Sequence, residues 1–376
     1  METGLRQPEF VMERWQSRFE NTVRCNLSDS GVLPFRFAEF CEFADVDPGD
    51  VVFGYGLTEG TVELRSRVAA LYPGATEADV LITTGSAEAN FLTMWRLVDP
   101  GDHVVIVQPT YGQTSGLAEG LGATVTPLWL EEELGWQPAP GAAADSITAG
   151  TRLVVVTNPN NPTGAILSEK ARREIVDAAE RVGAWILADE VYAGAELEGE
   201  VTRTMWGDAA RVIATASLSK AYGLPGLRLG WLVAPAELRE ELWARKDYTS
   251  ISPAVLSDRL AQAALEPENR SRILGRCRRI VQPNLEIIEA WAATAGGVKY
   301  QRPHAGAICL FSYSEPVSSL DLAERLRVDH SVLIVPGVHF GLENTFRIGF
   351  GYEADKLPIG LTHLSEVLGA IKPVTA

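Results

Sequence analysis

The residue best suited to chemistry in this chain is a lysine that follows an apolar strand. Lys220 ends the run Ser217-Leu218-Ser219-Lys220, and Arg228 follows eight residues later. Burial beside an apolar strand disfavours the ammonium form of a lysine. A lysine held in its neutral form can attack a carbonyl carbon and form a Schiff base. The segment therefore predicts a reactive amine with a guanidinium close to it.

Three more segments lie at turns after predicted strands, where open parallel sheets bind ligands. Asp189 ends the apolar strand 184–189 and could face a helix N-terminus, a metal ion or a protonated ring nitrogen. The turn Thr84-Gly85-Ser86-Ala87 opens a helix, and its backbone N–H groups could hold a phosphate. The run 158–164 consists of turn-forming residues whose Asn amides could bind a ligand oxygen. These segments predict a single ligand site at one edge of a sheet.

Alternating strands and helices must position these residues. We expect strands at 79–83, 103–108, 152–158, 184–189, 211–216 and 228–233, and helices at 87–97, 111–121 and 169–182. The segment Arg152–Asn158 is almost continuously apolar, which is typical of a strand buried on both faces of a parallel sheet. The sequence therefore predicts an α/β domain with a mostly parallel sheet.

The pattern changes after Pro235. We expect helices at 237–246, 254–265, 273–295, 320–328 and 361–371, and short strands at 307–312, 332–335 and 345–350. The segment Pro138–Asp145 is rich in Ala, Pro and Gly, which predicts a loop. The C-terminal part therefore predicts a smaller α+β unit.

Composition excludes several classes of protein. The 376 residues contain 33 Lys and Arg and 49 Asp and Glu, so the formal net charge is 33 − 49 = −16. An acidic chain repels phosphate backbones, which argues against a nucleic-acid partner. No apolar run is long enough to span a bilayer, and the N-terminus does not resemble a signal peptide. The four scattered cysteines and five histidines show no metal-ligand spacing, so we expect no metal and a cytoplasmic location.

Three motifs, taken in order, resemble the class I/II aminotransferases, the pyridoxal-phosphate (PLP) enzymes of fold type I. They are Asn158-Pro-Asn-Asn-Pro-Thr-Gly164, Asp189-Glu-Val-Tyr192 and the run from Ser217 to Trp231. The resemblance covers nearly the whole chain, from Tyr55 to Arg347. It implies a seven-stranded, mostly parallel sheet between helices in a large PLP-binding domain, 46–280. A small α+β domain would be built from both ends of the chain, 1–45 and 281–376.

The resemblance also implies roles for individual residues. Lys220 would carry PLP as a Schiff base and then act as general base at the substrate Cα. Asp189 would pair with the ring nitrogen, Asn161 and Tyr192 would bind the ring oxygen, and Tyr111 would stack on the ring. The phosphate would be held by the remaining cofactor-binding residues, namely Gly85, Ser86, Ala87, Ser217, Ser219 and Arg228.

Substrate and subunit contacts follow from the same resemblance. Arg347 matches the arginine that binds the substrate α-carboxylate, and Asn161 would also face the substrate. Ser30 and Gly31 match the N-terminal segment that closes over it. Tyr55 matches a tyrosine that reaches the phosphate of the neighbouring subunit, so we expect a homodimer with shared sites. The partners would be an L-amino acid and, for transamination, a 2-oxo acid.

The reaction branch stays open at this stage. Transamination is the main expectation, because it is the usual activity of the class. The segment Asn26–Val32, taken with the run from Ser217 to Trp231, also resembles the capreomycidine synthase branch, whose members cyclise 3-hydroxyarginine in specialised metabolism. The alternative is therefore β- or γ-elimination, replacement or cyclisation on the same lysine. A dicarboxylate substrate would need a second cation, for which Arg24, Arg36 and His304 are candidates, and Gln113 and Tyr352 could line the pocket.

Overall fold

Strands and helices alternate along the chain, which the computed structural model describes for residues 7–352 and 354–371. In that part of the chain the strands are β1 (Cys25–Asn26), β2 (Val80–Thr83), β3 (His103–Gln108), β4 (Thr124–Glu131), β5 (Gln137–Pro138), β6 (Thr151–Thr157), β7 (Trp185–Asp189), β8 (Val212–Ser217), β9 (Gly230–Val233), β10 (Val298–Tyr300), β11 (Ile308–Tyr313), β12 (Val332–Leu333), β13 (Val335–Pro336) and β14 (Thr345–Gly349). The α-helices are α1 (Val11–Phe19), α2 (Phe37–Ala44), α3 (Val62–Ala69), α4 (Gly85–Leu97), α5 (Gln113–Gly120), α6 (Ala142–Ser146), α7 (Glu169–Val182), α8 (Ala236–Lys246), α9 (Val255–Leu265), α10 (Pro267–Ala292), α11 (Ser319–Arg325) and α12 (Leu357–Ala370).

The large sheet has, among the described residues, the strand order β2-β9-β8-β7-β6-β3-β4-β5. Its neighbours β8, β7, β6, β3 and β4 pair in parallel. Strand β9 runs antiparallel to both β8 and β2, and the two-residue β5 adds an antiparallel edge to β4. The predicted α/β fold with a mostly parallel seven-stranded sheet is therefore confirmed, with β5 as a short eighth strand.

Helices bury the large sheet on both faces. In β6, Val154 and Val156 join the apolar cluster on one face, whereas Leu153 and Val155 join the cluster on the other. All four are at most 1% exposed. Because successive side chains of a strand point to opposite faces, a strand buried on both sides must be apolar at every position. This explains why the continuous run 152–158 was recognisable.

A second, antiparallel sheet has the order β10-β11-β14-β13. The N-terminal β1 pairs in parallel with β12, so residues far apart in sequence come together beside this sheet. The smaller α+β unit is thus present. Its bounds stay a prediction: position 280 falls inside the continuous helix α10, and residues 1–6, 353 and 372–376 of the predicted ranges lie outside the described residues.

One local expectation was wrong, and one long strand was missed. Strand β4 was not predicted, because Pro127 and exposed Thr and Trp side chains interrupt its apolar pattern. The predicted loop Pro138–Asp145 contains the end of β5 and most of α6, whose alanines favour a helix once Gly141 turns the chain at φ +86°. Both segments lie at the β4 edge of the sheet, away from the strand ends described next.

Candidate active site

A cavity of about 440 Å³ opens where β6, β7 and β8 end. The last residues of these strands, Thr157, Asp189 and Ser217, all line it. Parallel strands place their carboxyl ends at one edge, so residues distant in sequence meet there. The predicted site residues that line the cavity are Ser30, Ser86, Ala87, Tyr111, Asn161, Asp189, Tyr192, Ser217, Ser219, Lys220 and Arg228.

Lys220 projects its amine into this cavity. Its Nζ donates a hydrogen bond to Ser30 Oγ at 2.9 Å. Ser30 is only 8% exposed and comes from the N-terminal segment, 190 residues away in sequence. The contact places the N-terminal segment directly against the reactive amine.

Asp189 is held by a short hydrogen-bond network at the end of β7. Asn90 Nδ2 donates to Asp189 Oδ2 at 2.9 Å, and the Val191 amide donates to Oδ1 at 3.2 Å. The Thr215 hydroxyl donates to Asn90 Oδ1 at 2.8 Å, which fixes the Asn90 amide in that orientation. Burial raises the pKa of Asp189, whereas these donors and the nearby Lys220 charge lower it. Such a carboxylate is poised to pair with a cationic ring nitrogen.

The N-terminus of α4 and Arg228 form a cradle for an anion. Helix α4 has no side-chain N-cap, and Ser86 and Ala87 of its first turn line the cavity. A Cβ at Gly85 would lie 2.8 Å from the Arg228 guanidinium, so the two residues are in close approach. Ser217 and Ser219 lie on the same cavity wall and are linked by a hydrogen bond from the Ser219 amide to Ser217 Oγ at 3.2 Å. Free helix N–H groups, an arginine and two hydroxyls together suit a phosphate.

Gly230 makes this cradle possible. A Cβ there would lie 2.5 Å from the Gly85 carbonyl carbon and 2.6 Å from the Ser86 nitrogen. Both contacts are with backbone, which cannot rotate away. Only glycine therefore lets β9 pack directly beneath the first turn of α4.

Two buried polar atoms near the cavity lack a partner within the described part of the chain. The Tyr192 hydroxyl is buried without a hydrogen bond, and so is Arg347 Nε. The other Arg347 nitrogens donate to Asn161 Oδ1, at 2.8 Å, and to the Ser28 carbonyl. Unsatisfied buried groups are costly, so these two atoms are suited to bind polar groups of a ligand.

Tyr111 covers the cavity and is fixed from the N-terminal helix. Its hydroxyl donates to Glu13 Oε2 at 2.9 Å, and Phe10 packs edge-on against its ring with centroids 4.8 Å apart. Burial, and then the negative charge of Glu13, raise the pKa of Tyr111 above its ordinary value. The ring is therefore a neutral, well-anchored wall.

Four predicted site residues do not line this cavity. Gly31 and Gly85 adjoin the lining residues Ser30 and Ser86, and Arg347 lies behind Asn161. Tyr55 is 87% exposed and does not line the cavity of its own subunit, as expected for a residue that serves a neighbouring subunit. Its role stays a prediction.

The side chains considered as a second cation are not in the cavity either. Arg24, Arg36 and His304 are exposed and do not line it. Gln113 does line it, and donates to the Ala87 carbonyl at 2.8 Å. Tyr352 contacts Asp29 through its hydroxyl. Nothing in the described cavity therefore favours a dicarboxylate substrate.

Sequence reasoning missed Asn90 and a set of polar, mostly acidic residues in the N-terminal segment. The cavity is also lined by Glu13, Gln16, Glu20 and Asp29. A signal for the first three was available: positions 13, 16 and 20 have the spacing of one helical face. Asn90 had none, because its partners Asp189 and Thr215 are 99 and 125 residues away.

These features fit PLP. The cradle at α4 suits its phosphate, Asp189 its ring nitrogen, the orphaned Tyr192 hydroxyl its ring oxygen, and Lys220 its aldehyde carbon. Each of these atoms faces the same cavity, and Gly230 keeps the phosphate end open. The residues present therefore match the chemistry of that cofactor.

Comparisons with known proteins agree. The family model for aminotransferase class I and II matches residues 42–364. Capreomycidine synthase from Streptomyces vinaceus is 34% identical over 371 residues, covering 96% of this chain and 94% of the relative. A PLP-dependent aminotransferase from Streptococcus suis superimposes with a TM-score of 0.91 at 32% identity, covering 98% of this chain and 99% of the other. The PLP-dependent cyclase OrfR superimposes with a TM-score of 0.89 at 29% identity, covering 98% and 99%.

The match extends over most of the chain and includes the strand ends that build the cavity. The cofactor of this family fits the residues found there. The chain therefore belongs to the aminotransferase class I and II family of PLP-dependent enzymes with fold type I.

Proposed function

We propose that Lys220 binds PLP covalently and then removes the proton from Cα of an L-amino acid. One observation supports this role most strongly: the Lys220 amine, the Asp189 carboxylate and the unpartnered Tyr192 hydroxyl line one cavity. Lys220 is also the sole lysine among the described residues that line it. When bound, PLP supplies an electron sink for the negative charge that develops at Cα.

The surrounding residues hold protons and orient the ring. Asp189, fixed by Asn90, would keep a proton on the ring nitrogen by offering it a carboxylate in a buried setting. Tyr192 and the Asn161 amide would donate to the ring oxygen, and Tyr111 would keep water from the ring face. These contacts would hold the reacting carbon within reach of Lys220 Nζ.

Arg347 is the proposed site for the substrate α-carboxylate. It is completely buried, and its Nε has no partner within the described residues. An arginine fork matches a carboxylate with two parallel hydrogen bonds. Ser30 and Gly31 would lie over the same end of the substrate, where Ser30 already contacts Lys220.

The lysine assignment is tested by Lys220→Ala. The purified variant should lose the visible absorbance of the lysine-bound cofactor and lose activity, because no amine remains in the cavity. Lys299→Ala is the matched control, since Lys299 is exposed and outside the cavity. An unchanged spectrum in Lys220→Ala would contradict the assignment.

Transamination is the proposed reaction, with an L-amino acid as donor and a 2-oxo acid as acceptor. It is the activity named for the family, and every residue it requires lines or adjoins the cavity. A second candidate, β- or γ-elimination, replacement or cyclisation in specialised metabolism, is favoured by the similarity to capreomycidine synthase over nearly the whole chain.

One experiment separates the two reactions. Holoenzyme is incubated with a panel of amino acids without any 2-oxo acid, and the products are quantified. Transamination stops after one equivalent per site and resumes when a 2-oxo acid is added, because the amino group has no other acceptor. Continued turnover without an acceptor would overturn transamination and support elimination or cyclisation.

We further propose a homodimer in which Tyr55 reaches the partner subunit's phosphate. Val52, Phe53, Tyr55 and Leu57 form an exposed, largely apolar segment, and such segments usually contact another protein surface. Mixing Tyr55→Phe with Lys220→Ala should restore activity if each dimer then contains one intact site. No recovery despite demonstrated subunit exchange would contradict sharing of sites.

We also propose a cytoplasmic location. We further propose that residues 46–280 form a large domain and that residues 1–45 and 281–376 form a small one. The thiols of Cys41, Cys277 and Cys309 are free, which suits a reducing compartment. No helix in the described part of the chain is both long and apolar enough to cross a bilayer. Fractionation of the producing cells would test the location directly.

A further inference from the structure

Two histidines and a glutamate meet in the smaller α+β unit, outside the active-site cavity. His363 and Glu366 lie one turn apart on α12, and His330 ends a short π-helical turn that continues α11. We call these three residues the histidine cluster. One nitrogen or oxygen atom from each of them lies within 4.8 Å of the other two. Spacing in sequence does not predict this cluster, because His330 lies 33 residues before His363.

The Glu366 carboxylate is close to both imidazoles. Its Oε2 lies 2.9 Å from His363 Nδ1 and 3.9 Å from His330 Nδ1. The two rings are tilted by 36°, with their centroids 4.5 Å apart. Two ligand atoms on one tetrahedral Zn²⁺ are about 3.4 Å apart, because each bond to the metal is about 2.1 Å long. The cluster therefore has nearly the spacing that such an ion requires.

The elements that carry the cluster are held in place by their own buried residues. Leu364 of α12 and Leu326 of the π-helical turn are both completely buried. The side chains of the cluster keep more freedom, since they are between 25% and 55% exposed. Small side-chain rotations can therefore bring the three ligand atoms onto one ion while the backbone stays fixed. Isolated π-helical turns also occur often at functional sites.

Hydrogen bonding alone explains only part of this arrangement. His363 and Glu366 are three residues apart on one helix, so their contact is an ordinary surface pair. At 3.9 Å, however, His330 is too far from the same oxygen for a hydrogen bond, although its ring packs against His363 from a different element. Within the described part of the chain, no Lys or Arg side chain pairs with Glu366. A cation bound by all three side chains accounts for both observations.

We propose that the histidine cluster binds a divalent transition-metal ion, with Zn²⁺ as the representative of the class. Two imidazoles and one carboxylate form a common donor set for Zn²⁺, and water would complete the coordination on the exposed side. Mg²⁺ and Ca²⁺ fit poorly, because they prefer oxygen ligands. The ion would join α12 to the turn before β12, the strand that pairs with β1. The inference does not rest on the proposed function, since no residue of the cluster lines the active-site cavity.

The test is isothermal titration of metal-free holoenzyme with ZnCl₂ in a buffer that does not bind zinc. The wild-type protein should bind one tight equivalent per chain, and its melting temperature should rise because the ion binds the folded arrangement. His330→Ala should weaken zinc binding at least about ten-fold, because it removes a direct ligand, and losing a group that only supports a ligand already costs about 10–100-fold. Saturating MgCl₂ should leave the melting temperature unchanged.

Glu366→Gln is a second variant at an exposed position, and it should also weaken zinc binding at least about ten-fold because it removes the anionic ligand. Circular dichroism checks the fold of both variants. His304→Ala and Glu237→Gln are matched controls, since both residues are exposed and outside the cluster, and they should leave the zinc affinity unchanged.

Three results would overturn the metal site and leave the proposed function standing. The first is no zinc binding by the wild-type protein. The second is equal zinc affinity in the wild type and in the folded variants His330→Ala and Glu366→Gln, because the ion would then bind elsewhere, at a thiol or at the cofactor phosphate. The third is an equal rise in melting temperature with MgCl₂, which would show that the nitrogen ligands do not select the ion.

Discussion

Replacing Asn90 with Ala removes the side chain that holds Asp189. Asn90 is 2% exposed and Asp189 8%, so water cannot substitute freely for the lost 2.9 Å contact. A hydrogen bond to a charged group contributes about 1.5–3 kcal/mol. We therefore expect Asn90→Ala to destabilise ionised Asp189 by about that amount and to weaken cofactor binding at least about ten-fold.

The effect on stability depends on pH in a defined direction. Burial raises the pKa of Asp189 above its ordinary value of 3.8. Over the pH range that starts at 3.8, the folded protein therefore binds more protons than the unfolded chain, and its stability falls as the pH rises. Losing the Asn90 donor raises this pKa further. In cofactor-free protein, the difference in free energy of unfolding between wild type and Asn90→Ala should thus be smallest near pH 4 and grow toward pH 8.

The assay is urea denaturation across this pH range, with cofactor affinity measured by equilibrium dialysis. Thr215→Val is the matched control, because it removes the hydroxyl that contacts Asn90 Oδ1 and keeps the donor to Asp189. Its destabilisation should vary with pH much less than that of Asn90→Ala. A pH-independent difference for Asn90→Ala would refute the reasoning, since Asn90 would then contribute packing only.

Two further substitutions test the surroundings of the site. Gly230→Ala should displace the first turn of α4 and raise the dissociation constant of the cofactor at least about ten-fold. Gly226→Ala is the control, because Gly226 has open space around it, and it should leave the affinity unchanged. Equal cofactor affinity in the two variants would contradict the cradle geometry. Glu190 is buried, and burial raises its pKa from 4.5 to about 7. Between these two pH values the folded protein binds more protons than the unfolded chain, so the wild type loses stability as the pH rises through them. Glu190→Gln keeps the oxygen that accepts from Thr204 and Met205. In urea denaturation, the variant should be as stable as the wild type near pH 4 and more stable by about 1–3 kcal/mol at pH 8. A difference in stability that is constant with pH would contradict the raised pKa.

The residues at the strand ends were predictable from sequence, for a simple reason. Lys220, Asp189 and Asn161 follow apolar strands, and parallel strands end at a common edge, so their proximity follows from the pattern. Their spacing then resembled a known family. Polar turns and apolar runs can both be recognised in a single sequence, because each is made of residues that are close together in the chain.

The N-terminal side of the site was not predictable in the same way. Helix α1 reaches the cavity because Trp15 packs into the core and donates to the Ile334 carbonyl at 2.9 Å, a contact across 319 residues. That docking, with the hydrogen bond from Tyr111 to Glu13, places Glu13 and Glu20 at the cavity. The spacing of these residues marks one face of a helix but does not say what the face meets.

The central claim is that Lys220 carries the cofactor, and reductive trapping tests it most directly. Holoenzyme is reduced with borohydride, digested, and mapped by mass spectrometry for the lysine that bears the pyridoxyl group. Modification of Lys220 is the predicted result, because its amine lines the cavity. Modification instead of Lys246, whose pKa burial lowers to about 8, or of no lysine at all, would contradict the account.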